Sequence, residues 1–459
     1  MTEVVVDHHQ GAAIPVHALY EKDLEGFLDG RQAFVKAFAA LSDFKAKPGQ
    51  TLVVPNTEGG LDRVLFGLGA STDPMTFRAL AARLPAGDFR IASAPPEFAP
   101  DLIALAFALG SYRFDRYKKK GSPQPRLVAE GVDLAEVRSI SHACALARDM
   151  VNTPPNDMGP LQIETIAREI AEQHGASITV IAGEGLLEAN YPAVHAVGRA
   201  AVEARCPRMI EITWGADANP LVALVGKGVV FDTGGLDIKP SAGMRNMKKD
   251  MGGAAHVLAL ARMIMTARLP VRLAVLIPVV ENAIAGDAMR PGDVLDSRKG
   301  LTIEVGNTDA EGRLILADAL TRAAELEPAL TLDLATLTGA ARAALGPQLP
   351  PFYTDDDVLA GQIEAAMAAV SDPMWRMPLW KGYADSIDSD VADIKNDSDA
   401  WAQAGSVTAA LFLQRFAPTG PWAHFDIFAW NPRNRPGFTS GGEAQAIRAL
   451  YRMIRDRFA

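Results

Sequence analysis

The chain has 459 residues, of which 49% are hydrophobic and 22% charged, and its formal net charge at pH 7 is −10. This is the composition of an ordinary globular protein, and it excludes disordered, collagen-like and coiled-coil chains. At about 150 residues per domain the length predicts two or three domains, and the acidic balance means that nucleic acid is not expected as a partner.

The N-terminal segment predicts no export or membrane insertion. It has neither a basic region nor a long apolar region, as a secretory signal would. No stretch reaches the roughly 18 uncharged apolar residues of a membrane-spanning helix. The two cysteines, Cys144 and Cys206, are too few for a disulfide framework and favour a reducing compartment. We therefore expect a cytoplasmic protein that is not bound to a membrane.

The first part of the chain predicts a smaller α/β domain. Strands are predicted at residues 52–54, 64–68 and 89–92, and helices at 23–40 and 100–109. Residues 116–125 read RYKKKGSPQP, a charged run followed by helix breakers, which predicts a solvated segment between domains rather than a nucleic-acid patch. A helix over 134–150 follows. The predicted division is an N-terminal domain at 1–135, a connecting helix at 136–155 and a C-terminal domain at 156–459.

The C-terminal part predicts a larger α/β domain. Strands are expected at residues 178–181, 221–231, 272–280, 302–305 and 330–334. Helices are expected at residues 161–173, 251–267 and 311–326. Strands that alternate with helices indicate a mixed, mostly parallel central sheet. The near-continuous apolar run over 221–231 is typical of a single buried strand.

Several common catalytic motifs are absent. Gly226-Lys227-Gly228 resembles the end of a phosphate-binding loop, but Gly228 stands where that loop has Ser or Thr. The third glycine of a dinucleotide fingerprint is missing as well, and neither G-x-S-x-G nor H-E-x-x-H occurs. His256 is isolated on a helix face, which favours a packing residue over a metal ligand. The two cysteines also read as structural.

Two stretches place charged residues where apolar sequence is expected. In residues 225–240, Lys227 lies near the start of a buried strand and Asp232 at its end, where isolated charges are costly. Ligands of open α/β sheets bind at the carboxyl ends of strands, which is where Asp232 falls. Lys239 lies in the same stretch and Asp250 in its continuation, residues 247–255. Glycine pairs after Asp232 and Asp250 allow close backbone approach.

The second stretch, residues 304–314, reads as a strand, a turn and the start of a helix. Asp309 and Glu311 lie at the helix N-terminus, where the backbone field favours anions. Arg313 is unfavourable there for the same reason, which suggests that it holds an anion. The alternative is an N-cap aspartate followed by a solvated glutamate and arginine.

Both stretches together favour a metal centre. Converging carboxylates repel each other unless they are protonated or bridged by cations. Two divalent metals about 3.5–4 Å apart are the simplest way to satisfy them. Oxygen ligands suit Mg²⁺, Mn²⁺ or Zn²⁺, and the lack of Cys and His ligands excludes a structural zinc site.

The sequence resembles the leucyl aminopeptidases, the M17 class of metallo-exopeptidases. Residues 307–314, NTDAEGRL, look like the family signature without substitution, and the charged residues of the first stretch stand at the family's spacing. The likeness continues through residues 148–156, RDMVNTPPN, and 334–340, LATLTGA. It covers about residues 140–430.

This resemblance implies an enzyme with two divalent metal ions, Mn²⁺ or Zn²⁺, that removes the N-terminal residue of peptides. Lys227, Asp232, Asp250 and Glu311 would hold one metal, and Asp232, Asp309 and Glu311 the other. A water that bridges the metals would attack the scissile carbonyl. The substrate's free amino group would coordinate one metal, which explains cleavage at the N-terminus.

The resemblance also assigns roles to other residues. Lys239 would stabilise the developing oxyanion, and Arg313 would bind a bicarbonate-like anion that moves the proton of the water. Met247, Thr336 and Gly339 would line the pocket for the first side chain of the substrate. The family further implies a homohexamer.

The sequence departs from the family near its end. Residues 426–431 read DIFAWN where Asp-Ile-Ala-Gly is expected, and residues 441–448, GGEAQAIR, differ from the usual ending too. A pocket narrowed by Phe428 and Trp430 is expected to favour small or flexible first residues over bulky branched ones.

Two alternatives compete with the peptidase. A dinuclear metal phosphoesterase would usually have His among its ligands, and the charged stretches offer none. A non-catalytic hexameric scaffold or DNA-architectural protein is expected to have lost one of the charged residues, whereas all are present. The net charge of −10 also argues against DNA.

Overall fold

A computed structural model describes residues 3–8, 11–118, 123–398 and 403–459 of the chain. The predicted solvated segment at 116–125 therefore lies partly outside the described residues. The chain forms two compact units, one made of the described residues up to Ala145 with Pro432–Ser440, the other of Leu146–Asn431 with Gly441–Ala459. The predicted two-domain α/β fold, with a smaller N-terminal and a larger C-terminal domain, is confirmed.

The first unit is built on one mixed sheet. Its strands are β1 Val5–Val6, β2 Ile14–Tyr20, β3 Thr51–Pro55, β4 Leu61–Gly69, β5 Gly87–Ser93 and β6 Pro125–Val128. Its helices are α1 Leu24–Asp29, α2 Ala33–Leu41, α3 Arg78–Arg83 and α4 Pro100–Gly110, and the boundary between the units falls within α5, Leu134–Asn152. In the described residues the strand order is β1-β6-β5-β2-β4-β3, and neighbours run parallel except for β3 and β4.

The first unit differs from the sequence prediction in several places, and the short elements β1, α3 and β6 are not predicted. The helix predicted over 23–40 is interrupted between α1 and α2, where Gly30 caps α1 and weakens helix continuation. The sequence does not predict strand β2, because Pro15 near its start argues against a central strand. The sequence prediction places Pro432–Ser440 in the C-terminal domain, but this segment packs in the first unit, where buried Arg78 donates to the carbonyl of Gly437 at 3.1 Å.

The second unit contains the remaining elements. Its strands are β7 Ser177–Ala182, β8 Arg208–Trp214, β9 Leu221–Gly226, β10 Gly228–Asp232, β11 Arg272–Asn282, β12 Val294–Leu295, β13 Ile303–Glu304, β14 Leu330–Ala335, β15 Pro351–Tyr353, β16 Trp375–Met377, β17 Ile394–Lys395, β18 Trp422–Asp426, β19 Trp430–Asn431 and β20 Gly441–Gly442. Its helices are α6 Pro160–His174, α7 Gly185–Glu188, α8 Pro192–Gly198, α9 Ser241–Met244, α10 Gly252–Thr266, α11 Glu311–Glu325, α12 Gly339–Leu345, α13 Asp357–Val370, α14 Gly405–Gln414 and α15 Ile447–Phe458.

The large sheet of this unit has a parallel centre. Its described strands follow the order β16-β15-β18-β14-β9-β11-β8-β7, and β10 also pairs with β11. Strands β18, β14, β9 and β11 are mutually parallel, whereas β15 against β18 and β8 against its neighbours are antiparallel. The carboxyl ends of the parallel strands therefore meet at one edge of the sheet.

The apolar run over 221–231 is two strands rather than the predicted one. Pairing with β11 stops at Val225 and resumes at Gly228, so Lys227 lies outside the ladder. Its backbone N–H instead donates to Leu334 of β14 at 3.1 Å, and its carbonyl accepts from Ala254 of α10 at 2.8 Å. The interruption keeps the backbone of Lys227 satisfied at the sheet edge.

Helix α10 lies in the core of the second unit. All of its residues except Arg262 and Thr266 are buried, and a helix that is apolar on every side is typical of a protein interior. Its N-terminus and that of α11 both lie at the carboxyl edge of the sheet, because each follows a charged turn at that edge. None of the described helices is long and apolar enough to cross a bilayer.

Candidate metal centre

A cavity of about 670 Å³ lies at the carboxyl edge of the parallel strands. Lys227 follows β9, Asp232 ends β10 and Thr336 follows β14, which explains why their side chains converge. The residues predicted as metal ligands, as catalytic groups and as contacts of the first side chain all line this cavity: Lys227, Asp232, Lys239, Met247, Asp250, Asp309, Glu311, Arg313, Thr336 and Gly339.

The carboxylates predicted as metal ligands lie in contact with two lysines, Lys227 and Lys239. Oxygen atoms of Asp232, Asp309 and Glu311 lie within 4.8 Å of one another. The Nζ of Lys227 lies 2.8 Å from Oδ2 of Asp250 and 3.0 Å from Oε1 of Glu311. Lys239 forms a second ion-paired group, 2.8 Å from Oδ2 of Asp232 and in contact with Asp309.

Burial and mutual repulsion shift the pKa values of these groups. Burial, followed by the charge of Asp232, raises the pKa of Glu311 to about 8 and that of Asp309 to about 6. Burial alone would lower the pKa of Lys227, but the carboxylates of Asp250 and Glu311 outweigh it and raise that pKa above its usual value. The ionised carboxylates are therefore stable in this cavity only when positive charge lies beside them.

The donor set fits divalent metal ions. Among the described residues, Oδ2 of Asp250, Oδ1 of Asp309 and Oε1 of Glu311 are buried yet accept no well-formed hydrogen bond, and they meet only the lysine ammonium groups as ion pairs. Buried oxygens without hydrogen bonds are costly. Carboxylate oxygens are also the ligands that Mn²⁺, Mg²⁺ and Zn²⁺ accept.

A glycine at the start of α11 makes room for Lys227. A Cβ at Gly312 would lie 2.5 Å from Cε of Lys227, so a larger residue would displace the lysine. The Nζ of Lys227 also donates to the carbonyl of Thr336 at 3.0 Å. The lysine is therefore fixed by α11 and by the turn after β14.

Asn282, at the end of β11, orients Asp232 and is not predicted from the sequence. Its Nδ2 donates to Oδ1 of Asp232 at 2.8 Å and to the carbonyl of Thr308 at 3.1 Å. The backbone N–H of Gly234 donates to the same carboxylate oxygen at 2.9 Å. The only sequence signal is one amide at the end of an apolar strand.

The loop that carries Asp309 is held by reciprocal hydrogen bonds. The N–H of Thr308 donates to Oδ2 of Asp237 at 2.8 Å, and the N–H of Asp237 donates to Oγ1 of Thr308 at 2.9 Å. Asn396, which is fully buried, accepts from the N–H of Gly306 at 2.8 Å and donates to the carbonyl of Asn307 at 2.7 Å. These polar side chains fix Asp309 before any ligand is bound.

Arg313 is a buried cation beside the carboxylates. Its Nη1 donates to the carbonyl of Asn396 at 2.6 Å, while its Nε is buried without an acceptor among the described residues. Burial lowers the pKa of Arg313 to about 10 although Asp397 and Glu311 act in the opposite direction. An incompletely satisfied guanidinium that lines a cavity is suited to bind an anion.

The residues expected to form the side-chain pocket have different surroundings. Met247 and Gly339 line the cavity, but the hydroxyl of Thr336 also donates to Oδ1 of Asp250 at 2.8 Å and so orients a candidate metal ligand. Phe428 lines the cavity as expected, whereas Trp430 is not among the described residues that do. Trp430 instead lies under the ammonium of Lys248, 5.5 Å from its ring centre.

His256 and the cysteines have structural positions. His256 is fully buried in α10, its Nδ1 lies 2.6 Å from the carbonyl of Gly252, and its Nε2 accepts from the N–H of Gln445 at 3.0 Å. Cys144 is buried, Cys206 is partly buried, and neither forms a disulfide. The described lining of the cavity includes none of them.

The chain is similar to known proteins along most of its length. Residues 145–451 match the model of the cytosol aminopeptidase family, catalytic domain, and residues 14–130 match that of the M17 aminopeptidase N-terminal domain. A "Probable cytosol aminopeptidase" of Syntrophotalea carbinolica is 40% identical over 448 residues, which cover 90% of this chain and 89% of that protein.

Solved structures agree with the sequence comparisons. The cytosol aminopeptidase from Coxiella burnetii is 42% identical, with a TM-score of 0.93 over 99% of this chain and 100% of that one. The bottromycin maturation enzyme BotP, solved in complex with Mn, is 35% identical, with a TM-score of 0.85 over 98% of this chain and 100% of that one.

Proposed function

The chain belongs to the M17 cytosol aminopeptidase family and is a metallo-exopeptidase that acts on peptides, and we propose that its cavity binds two divalent metal ions. The observation that carries this proposal is the group of buried carboxylate oxygens that, among the described residues, contact lysine ammonium groups but accept no well-formed hydrogen bond. The complex of BotP with Mn supports Mn²⁺ as one of the ions that this site would take, with Zn²⁺ as the other candidate.

The ligands divide into two overlapping sets. Lys227, Asp232, Asp250 and Glu311 would hold one ion, and Asp232, Asp309 and Glu311 the other, so that Asp232 and Glu311 are shared. The convergence of Asp232, Asp309 and Glu311 within 4.8 Å supports the second set, and the contacts of Lys227 with Asp250 and Glu311 support the first. When bound, the ions would activate a water and polarise the scissile carbonyl.

Lys239 would stabilise the oxyanion of the transition state. Its Nζ contacts Asp232 and Asp309, and its side chain lines the cavity. Once those carboxylates serve as ligands, the ammonium has fewer competing partners and can donate to the substrate carbonyl oxygen. A fixed cation aimed at developing negative charge lowers the barrier because it need not reorganise.

Arg313 would hold a bicarbonate-like anion next to the reacting water. Its Nη1 is occupied by Asn396, but its Nε donor is not satisfied by the described residues. An anion placed there would accept the proton of the water and return it to the leaving amine. The free amino group of the substrate, bound near the carboxylates, would restrict cleavage to the first residue.

The remaining expectations concern assembly and location. We propose a homohexamer in the cytoplasm; the family resemblance supports the first, and the word cytosol in the names of the relatives supports the second.

The test is the recovery of activity after metal removal. Protein treated with a chelator and dialysed is expected to lose hydrolysis of aminoacyl-p-nitroanilides and to regain it with Mn²⁺ or Zn²⁺. An N-acetylated substrate serves as the control and should remain uncleaved in every sample. Activity that survives complete metal removal, or cleavage of the acetylated substrate, would contradict the proposal.

A further inference from the structure

Lys249 is a buried cation for which the proposed reaction has no use. It is 6% exposed and lines the cavity. Among the described residues its ammonium forms neither an ion pair nor a hydrogen bond, unlike Lys227 with its two carboxylates. A buried charge without a partner is costly, so a group that it meets during function would explain its position.

A second cation lies equally close to the same aromatic ring. The Nζ of Lys249 is 5.0 Å from the ring centre of Phe428, and Cζ of Arg342 is 4.9 Å from it. Arg342 is three residues after Gly339 in α12, so both face the cavity from one side of that helix. Both cations therefore lie next to the residues expected to contact the first side chain of the substrate.

The nearest carboxylates are already engaged. Asp250 pairs with Lys227 and accepts from Thr336 at 2.8 Å. Asp426 accepts from the N–H of Leu337 at 2.9 Å and from the hydroxyl of Thr338 at 2.6 Å. Lys249 and Arg342 thus leave this end of the cavity with positive charge that the described residues do not neutralise, although the chain as a whole carries −10.

We propose that this pocket, if the cavity is the aminopeptidase site described above, selects substrates whose first residue is Glu or Asp. The side-chain carboxylate would bind the ammonium of Lys249 and the guanidinium of Arg342, and its methylenes would pack on the ring of Phe428. Charge-assisted hydrogen bonds of this kind are stronger than neutral ones, particularly in a partly enclosed site. On this proposal the charge of the substrate's first side chain, and not its size, is the main determinant of specificity.

Glu- and Gln-p-nitroanilide measure the effect directly, because they have nearly the same shape and neither has a C-terminal carboxylate. We expect the ratio of their kcat/KM values to favour Glu by about tenfold or more, as a charged pair in a partly buried site would give. Lys249→Met is expected to bring this ratio close to one, and Arg342→Gln to lower it partially. Both kcat/KM values are measured on the same enzyme sample, so the fraction of metal-loaded enzyme cancels from their ratio.

Lys248→Met is the matched control. Lys248 carries the same charge at the adjacent position, but it donates to the carbonyl of Asn152 at 2.6 Å and is not among the described residues that line the cavity. Its substitution should leave the Glu-to-Gln ratio at the wild-type value. Lys249→Met should unfold at the same or a higher temperature than wild type, because it removes a buried charge that has no carboxylate partner among the described residues.

The outcomes separate this inference from the proposed function. If Gln- and Leu-p-nitroanilide are cleaved but Glu is not preferred, or if Lys249→Met keeps the preference, the acidic pocket is refuted while the aminopeptidase stands. If no p-nitroanilide of the panel is cleaved with Mn²⁺ or Zn²⁺, the proposed function itself fails. A preference that appears only with dipeptides would assign the cations to the C-terminal carboxylate and also overturn the inference.

Discussion

The ammonium of Lys227 lies 3.0 Å from Oε1 of Glu311, and both side chains are almost completely buried. The two residues come from different elements, the break between β9 and β10 and the first turn of α11. Their contact joins the two charged stretches of the sequence at the carboxyl edge of the sheet. Glu311 is thereby placed where both proposed metal ions would need it.

Glu311→Gln is expected to reduce kcat by about a thousandfold or more, because a shared ligand supports both metals and several kcal/mol of transition-state stabilisation depend on them. The measurement is steady-state hydrolysis of an aminoacyl-p-nitroanilide with saturating Mn²⁺. The control is Glu325→Gln at the other end of α11. The carboxylate of Glu325 lies 2.7 Å from Nε of Arg298, and neither residue is among the described residues that line the cavity. Near-normal activity of Glu311→Gln would remove this residue from the centre.

Arg313→Ala is expected to lower kcat by roughly 10²–10⁴-fold, the usual size of a general acid–base contribution. Metal content should stay at the wild-type level, because Arg313 is not a proposed ligand. Added bicarbonate should restore part of the rate if the arginine serves to hold an anion. An unchanged rate in the variant would exclude this role.

Asn282→Ala should weaken metal binding without removing a ligand. The variant loses the hydrogen bonds from Asn282 to Asp232 and to the carbonyl of Thr308. Residues that orient metal ligands in this way typically contribute about 10–100-fold to metal affinity. Competition with a chromogenic chelator measures the change, and an affinity equal to that of wild type would show that Asp232 needs no such support.

Stability should fall in mild acid because of His256. Burial lowers its pKa from 6.5 to about 4, although Asp372 and Glu443 oppose the shift. Below pH 6.5 the imidazole of His256 is protonated in the unfolded chain, whereas in the folded protein it stays neutral down to about pH 4. The free energy of unfolding is therefore not reduced by His256 above pH 6.5. It falls between pH 6.5 and about pH 4, by roughly 3 kcal/mol in all.

Denaturant unfolding of wild type and His256→Gln between pH 7 and 4.5 checks this expectation. The pH dependence of the difference in unfolding free energy isolates His256, because His17 has a similarly lowered pKa of about 4 in both proteins. Parallel pH curves for the two proteins would show that His256 does not titrate on unfolding.

The sequence predicts the charged residues of the site better than the parts that support them. Asp232, Asp309 and Glu311 are recognisable because charges and glycines interrupt apolar periodicity at strand and helix ends. Asn282 and Asn396 are not, because a single amide at the end of a strand looks like an ordinary boundary residue. The role of an amide depends on which distant backbone groups the fold brings to it.

The breaks in regular structure are equally hard to predict. Lys227 lies within an apolar run that is typical of one strand, yet its backbone pairs with β14 and α10 instead of β11. Lys249 carries no sequence signal of its own, because next to Lys248 it reads as part of a solvated charged face. Only the packed structure shows that one of these neighbouring lysines is buried in the cavity.

The number of metal ions bound per chain tests the central claim most directly. Metal-free protein is loaded with Mn²⁺, freed of excess and analysed for metal content while a mild chelator is added. We predict two ions per chain lost in two steps, with Asp309→Asn mainly weakening the ion that leaves first and Lys227→Met the other. A single ion per chain in fully active protein, or two ions that leave together in wild type and both variants, would contradict the account.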